Sequence, residues 1–194
     1  MQIEQLKKIT VASAQEICTL AIAGGHPLSA PDGASPVQFL NQLLIAKEVG
    51  KAVQFLAFAL PAREAVWWAC LCARAEMRDP LPEPQLAAVS AAEAWVRKPT
   101  EEHRRTAMSC AQATDLKSPA AWAAVAAFWS GGSLAPENLP EVPAPPQLLG
   151  SAVASAVMIA AVSGEPKFAA QKRARYVQAG IDIANGGNGR ISPA

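Results

Sequence analysis

The chain has 194 residues, of which 51% are hydrophobic and 17% are charged, and its formal net charge is +1. This composition excludes intrinsic disorder, which requires low hydrophobicity and high net charge. The length suits one domain, and the near-neutral charge leaves no long-range field that would hold nucleic acid or an anionic membrane.

About one residue in five is alanine, the best helix former, whereas the strand-forming residue types are sparse. We therefore predict an all-α fold, a single irregular bundle of about eight helices with a buried central helix. We expect residues 1–187 to form one helical domain. The glycine-rich end of the chain favours a flexible C-terminal tail over residues 188–194.

Capping signals mark the starts of several helices in chain order. Ser13 and Glu16 have the spacing of a capping box, which predicts a first helix over residues 14–23. A second helix should end near Gly50, and a third stretch should cover residues 51–60. The same type of start signal, a hydroxyl residue before proline or acidic residues, occurs at Ser35, Thr100 and Ser118.

The stretch over residues 65–73, AVWWACLCA, is apolar on every side of a helix, which is typical of a buried helix. We predict that it forms the centre of the bundle and that Arg74, Glu76 and Arg78 mark its solvated end. Two adjacent tryptophans, Trp67 and Trp68, point about 100° apart. Either both are buried in the core or one of them contacts a partner. The proline-rich residues 79–84 should break the chain before the next helix, over 85–97.

The second half of the chain contains a long irregular segment and a second core helix. Residues 133–147 carry five prolines and no periodicity, so they form a loop that follows the surface or belongs to a binding face. Residues 148–162 are apolar, but at about 15 residues they are shorter than the ~20 needed to cross a bilayer. We therefore predict a buried helix and no membrane insertion, with a last helix from residue 166 to about 185.

Cysteine usage and the N-terminus both favour a cytoplasmic location. Neither a signal peptide nor zinc-ligand spacing is present in the sequence. The four cysteines lie in segments with helical periodicity, which indicates small buried hydrophobic residues in a reducing compartment.

No catalytic grouping, cofactor motif or metal motif emerges from the sequence. His103 lies within EEHRR, where adjacent residues point in different directions around a helix, so these side chains form no preassembled acid–base site. A solvated helix face is the simpler interpretation. His26 lies far from it in sequence, and the two lack metal-ligand spacing. We expect no catalytic, cofactor-binding or metal-binding residues and no enzyme activity.

Three stretches carry a resemblance to a known group of proteins. They are PAREAVWWACLCA at residues 61–73, AWVRKPTEEHRRTA at 94–107 and AFWSGGSLAP at 127–136. Together they resemble a bacterial all-helical family of unknown function, some members of which lie near type VI secretion genes. The resemblance spans residues 53–187 and implies an accessory or adaptor role, with no catalytic residues to carry over.

The leading functional hypothesis is a non-enzymatic protein-interaction module, such as a secretion-system accessory or an adaptor or chaperone-like protein. We expect a protein partner of unknown identity, and no nucleic acid. One alternative is a small-molecule-binding protein or enzyme with an interhelical pocket that uses His103. A second alternative is an immunity protein that binds a toxin. The contact residues that we predict lie in the 133–147 segment and on two polar helix faces: Arg63, Glu64, Arg104, Arg105, Ser133, Leu134 and Pro136.

Overall fold

A computed structural model describes residues 2–77 and 83–191, and within these ranges the chain is all helical, as predicted. One isolated antiparallel bridge joins Ser133 to Pro143, and no strand occurs among the residues that the structure describes. The described residues form nine α-helices and one 3-10 turn: α1 Ala14–Ala23, α2 Pro36–Ile45, α3 Val49–Ala59, α4 Ala62–Ala75, α5 Glu83–Arg97, α6 Glu101–Gln112, α7 Pro119–Phe128, α8 Gln147–Val162, the turn Pro166–Phe168 and α9 Ala169–Ala184.

The predicted helix starts at Ser35, Thr100 and Ser118 are confirmed by side-chain hydrogen bonds. Each hydroxyl accepts a bond from the backbone N–H three residues later. At the start of α2 the bond is reciprocal, because the side chain of Gln38 accepts from the backbone N–H of Ser35. These caps fix where the chain enters α2, α6 and α7.

Two details of the predicted N-terminal region are wrong. Ser13 accepts from the backbone N–H of Gln15, so the capping box expected with Glu16 is replaced by a simpler cap. The second helix ends at Ile45 rather than near Gly50, because Lys47 adopts a left-handed conformation with φ 58°. The backbone N–H of Glu48 then donates to Leu43 O, which closes a Schellman motif.

The central position of α4 is confirmed, since it packs against α5, α7, α8 and α9. Trp68 has no exposed surface, and its Nε1 donates to Tyr176 O on α9 at 2.8 Å. The expectation of burial on every side is wrong at Trp67 and Leu71, which are only partly buried. Of the two adjacent tryptophans, only Trp68 is thus fully buried, so the alternative in which both are buried in the core does not apply.

Small residues allow α8 and α9 to approach the core closely. Gly150 on α8 lies against the ring of Phe58 on α3, so close that a Cβ at this position would overlap the ring. A Cβ at Gly180 on α9 would lie 3.0 Å from Cε2 of Trp68. Buried apolar residues from each of the nine helices form one contiguous cluster that includes Phe58 and Trp68.

Two predictions concern residues that the structure describes only in part. Arg78 and residues 79–82 of the proline-rich break lie outside the described residues, and α5 already includes Glu83 and Pro84. In the tail, Asn188 O accepts from Trp67 Nε1 at 3.0 Å, and Gly189 N donates to Asp182 Oδ2 at 2.8 Å. The single domain over 1–187 and the flexible tail over 188–194 stay predictions.

Membrane insertion was not expected from the sequence. In the described ranges, none of the helices has both the length and the hydropathy that a membrane span requires.

Candidate protein-interaction site

Residues 133–147, the segment predicted to be irregular, follow α7 and fold back on themselves; Gln147 is already the first residue of α8, and we call residues 133–146 the proline loop. The backbone N–H of Leu134 donates to Val142 O at 2.7 Å, and that of Ala144 donates to Gly132 O at 3.3 Å. The hydroxyl of Ser133 accepts from the N–H groups of Ala135 and Val142, both at 3.1 Å. These bonds close the base of the loop although the segment has no regular secondary structure.

A buried arginine on α6 donates hydrogen bonds to the residues at this base. The side chain of Arg104 is only 4% exposed, and its guanidinium group donates to Phe128 O at 2.6 Å and to Ser133 O at 2.7 Å. Two further bonds reach the carboxylate of Glu101, both at 2.7 Å. Gly132, with φ 65°, lies against this guanidinium group, where a Cβ would approach its Nε to 3.0 Å. Arg104 therefore fixes the end of α7 and the start of the proline loop together.

Arg105 and Glu101 extend this anchor towards the solvent. Arg105 donates to Ala135 O at 3.0 Å, and its Nε lies 2.7 Å from Glu101 Oε1 and 3.3 Å from Glu137 Oε1. The hydrogen bond from Arg104, with the charges of both arginines, lowers the pKa of Glu101. Glu101 is therefore ionised at neutral pH, where it accepts hydrogen bonds from Arg104 and forms an ion pair with Arg105.

Above this base, the outer part of the proline loop is open to solvent. All eight residues from 136 to 143, with sequence PENLPEVP, are exposed, and we call this stretch the apex. Leu139 is 54% exposed and Val142 is 51% exposed. A turn in which the N–H of Leu139 donates to Pro136 O shapes the tip. The apex thus presents two apolar side chains and the carboxylates of Glu137 and Glu141.

The structure divides the predicted contact residues into two groups. Arg104, Arg105, Ser133, Leu134 and Pro136 all belong to the proline loop or its anchor. Within this group Arg104 is buried inside the chain, Arg105, Ser133 and Leu134 are half-buried, and Pro136 is exposed. Surface access thus lies at Pro136 and at the apex residues that follow it.

Arg63 and Glu64 form the second group, at a separate location. They lie at the start of α4 beside the partly buried Trp67 and line a small cavity with it. The Nε of Arg63 donates to Val96 O at 2.6 Å, and Glu64 Oε1 lies 3.3 Å from Lys8 Nζ. Arg63 and Glu64 on α4 thus form a polar face separate from that of Arg104 and Arg105 on α6, and contact of either face with a partner stays a prediction.

Sequence reasoning missed Leu139 and Val142, the most exposed apolar residues of the proline loop. A signal was present, because both are large apolar residues flanked by prolines in a segment without helical or strand periodicity. Such residues have no helix face through which to reach a core.

His103 and Glu76 make bonds within the chain. Because a carbonyl oxygen only accepts, His103 Nδ1 carries a proton in its 2.8 Å contact with Lys98 O. Glu76 at the end of α4 accepts from Lys172 and from Tyr176, and this pairing ties α4 to α9. The small-molecule or enzyme alternative that uses His103 stays a prediction.

All four cysteines are free thiols. Cys18, Cys70 and Cys72 are buried, and burial raises the pKa of each of these thiols. Cys110 on α6 is partly accessible. Within the part of the chain that the structure covers, no group of three or more His, Cys, Asp or Glu side chains is placed to hold a metal ion.

Comparison with known protein families gives a match over most of the chain. A family model described as "Family of unknown function (DUF6931)" matches residues 39–184, which include α3 to α9 and the whole proline loop. Neither the curated proteins nor the solved structures contain a match to the chain.

Proposed function

Because the chain belongs to the DUF6931 family of unknown function, we propose a function from its own geometry: a non-enzymatic protein-interaction module that binds a partner protein through the apex, residues 136–143. The observation that supports this proposal is the half-exposed pair Leu139 and Val142. These side chains lie on a loop that the buried Arg104 holds in one arrangement.

Physical chemistry favours binding at such a surface. Full burial of a Leu or Val side chain contributes about 1.5–3 kcal/mol of favourable free energy. A partner that covers both side chains therefore gains binding free energy from each. The prolines at 136, 140 and 143 restrict the backbone before binding, and the hydrogen bonds at the base restrict it further. Little conformational entropy is then lost when the partner binds.

The charge of the apex indicates the chemistry of the partner. Glu137 and Glu141 lie on either side of Leu139, and Glu141 directly precedes Val142; the apex itself contains no lysine or arginine, and Arg105 from α6 approaches only Glu137. A complementary surface therefore has an apolar groove with lysine or arginine at its rim.

The resemblance described above makes a bacterial type VI secretion component the first partner to test. A role in the cytoplasm is part of the same proposal, and the four free cysteines, one of them partly accessible, support it.

Affinity capture from extracts of the source cells tests the proposal by comparing variants. The tagged wild-type chain is compared with the double variant Leu139→Ser/Val142→Ser and with the control Ile45→Ser, an apolar residue on α2 that is 81% exposed. We expect a stoichiometric partner that the wild type and the control retain and the double variant loses. Circular dichroism of all three chains checks that the fold is unchanged. Capture that is absent, or equal for all three chains, would overturn the proposal.

A further inference from the structure

A cavity of about 190 Å³ lies between the N-terminal segment, the start of α4, the end of α5 and the end of α9. Its apolar lining comes from Trp67, Val96 and Ile183. The indole N–H of Trp67 is already bonded to Asn188 O, so the ring is held in place. The cavity is thus an open recess of mixed lining, and Trp67 forms a fixed aromatic wall on its apolar side.

The size of the recess limits what it accepts. Pockets for drug-sized molecules and cofactors measure about 300–1,000 Å³, which is larger than this cavity. An apolar cavity of about 150 Å³ holds a benzene molecule. The recess at Trp67 therefore fits one aromatic or large aliphatic side chain rather than a whole cofactor.

Charged side chains at the recess add a second requirement. Lys8, Arg63 and Glu64 line it, and the carboxylate of Glu64 pairs with Lys8 at 3.3 Å. The Nε of Arg63 donates a hydrogen bond to Val96 O. Among the described residues, no carboxylate pairs with the two terminal nitrogens of Arg63. Within the part of the chain that the structure describes, this exposed guanidinium group thus has no carboxylate partner, and the fork of its terminal nitrogens matches a carboxylate.

We propose that this recess binds the C-terminal residue of a partner protein, with the side chain against Trp67 and the free carboxylate on Arg63. A C-terminal residue is the part of a protein that presents a side chain and a carboxylate on the same carbon atom, its Cα. Capture of a terminal carboxylate is a recurring mode of peptide recognition. This site is separate from the apex and does not depend on the function proposed for it.

Titration with blocked amino acids, followed by 1H–15N NMR, tests the proposal on the full chain. The probe is N-acetyl-L-phenylalanine, which carries the side chain and the free carboxylate, and its matched control is the primary amide of the same compound. The variant Trp67→Phe identifies the indole N–H resonance of Trp67 by its loss. We expect the acid to shift this resonance saturably in the millimolar range, and the amide to bind at least about tenfold more weakly.

Variants and a longer peptide separate the outcomes. Arg63→Met should bring the acid down to the affinity of the amide, whereas Arg97→Met, an exposed arginine outside the cavity lining, should not. A hexapeptide ending in phenylalanine should bind at least as tightly as the single residue, and Leu139→Ser/Val142→Ser should bind both equally well. No shift of the Trp67 resonance, equal binding of acid and amide, or rejection of the hexapeptide would each overturn the proposal.

Discussion

Arg104 covers the ring of Phe128, with its guanidinium carbon 4.3 Å from the ring centroid, and also donates to the carbonyl oxygen of the same residue at 2.6 Å. One arginine thus holds both the side chain and the backbone at the last residue of α7. Because the same guanidinium group reaches Ser133 O, it sets the direction in which the proline loop leaves α7.

Arg104→Lys should lower the free energy of unfolding by about 2–4 kcal/mol, because a lysine keeps the charge but cannot reach the three acceptors at once. Chemical denaturation measures this change. Hydrogen exchange at the N–H groups of Leu134 and Val142 should become faster if the arginine anchors the proline loop. Arg105→Lys, at a side chain that is 25% exposed, is the control and should lower stability less. A loss below about 1 kcal/mol for Arg104→Lys, with unchanged exchange, would contradict this account.

The ion pairs of Glu101 should make stability depend on pH in the acidic range. Since hydrogen bonding to Arg104 lowers the pKa of Glu101 in the folded chain, its contribution is fully present above the unfolded pKa of about 4.5. It is lost as the pH falls through the folded pKa. Denaturation of the wild type and of Glu101→Gln across this range checks the sign. The difference between the two chains should shrink as the pH falls, and a constant difference would refute the assignment.

Gly150→Ala should destabilise the chain by about 1–3 kcal/mol, because the added methyl group overlaps the Phe58 ring. The second variant Phe58→Leu should recover part of this loss when combined with Gly150→Ala, since it removes the overlapped ring. Thermal unfolding of the single and double variants measures the coupling. Gly50→Ala on α3 is the matched control. The Cβ added there would lie 3.9 Å from its nearest neighbouring atom, and alanine is the better helix former. Equal effects at both glycines would argue against close packing of α8 on α3.

Lys47→Gly should stabilise the chain by about 0.5–1 kcal/mol, because glycine adopts the left-handed conformation at φ 58° without the strain that a Cβ imposes. For a chain of this size the melting temperature should rise by about 2 °C. Lys47→Ala keeps the Cβ and should change stability by less than about 0.5 kcal/mol. A melting temperature that falls for the glycine variant would show that Lys47 makes a stabilising interaction through its side chain.

The residues near helix starts show how much of the fold local sequence determines. Ser35, Thr100 and Ser118 cap helices through bonds that span only three residues, so their roles can be predicted from spacing alone. The break at Lys47 could not, because a lysine in a left-handed conformation carries no sequence signal of the kind that glycine gives. Local chemistry therefore predicted where helices begin better than where α2 ends.

The candidate site depended on contacts between distant parts of the chain. The proline loop was predicted from its composition, and the contact role expected for Arg104 and Arg105 stays a prediction, although the structure buries Arg104. The role of Arg104 was not predicted, because its acceptors at Phe128 and Ser133 are 24 and 29 residues away. Which of Trp67 and Trp68 reaches the solvent likewise depends on α9, which covers Trp68 through Tyr176 and Gly180 and leaves Trp67 at the cavity.

The burial pattern of the thiols gives the unmodified chain a single preferred attachment point for a maleimide dye. Cys110 is the accessible cysteine, and it lies on the same helix as the two arginines that hold the proline loop. A fluorophore attached there tumbles with α6, so its anisotropy reports the arrival of a large molecule without any engineered cysteine.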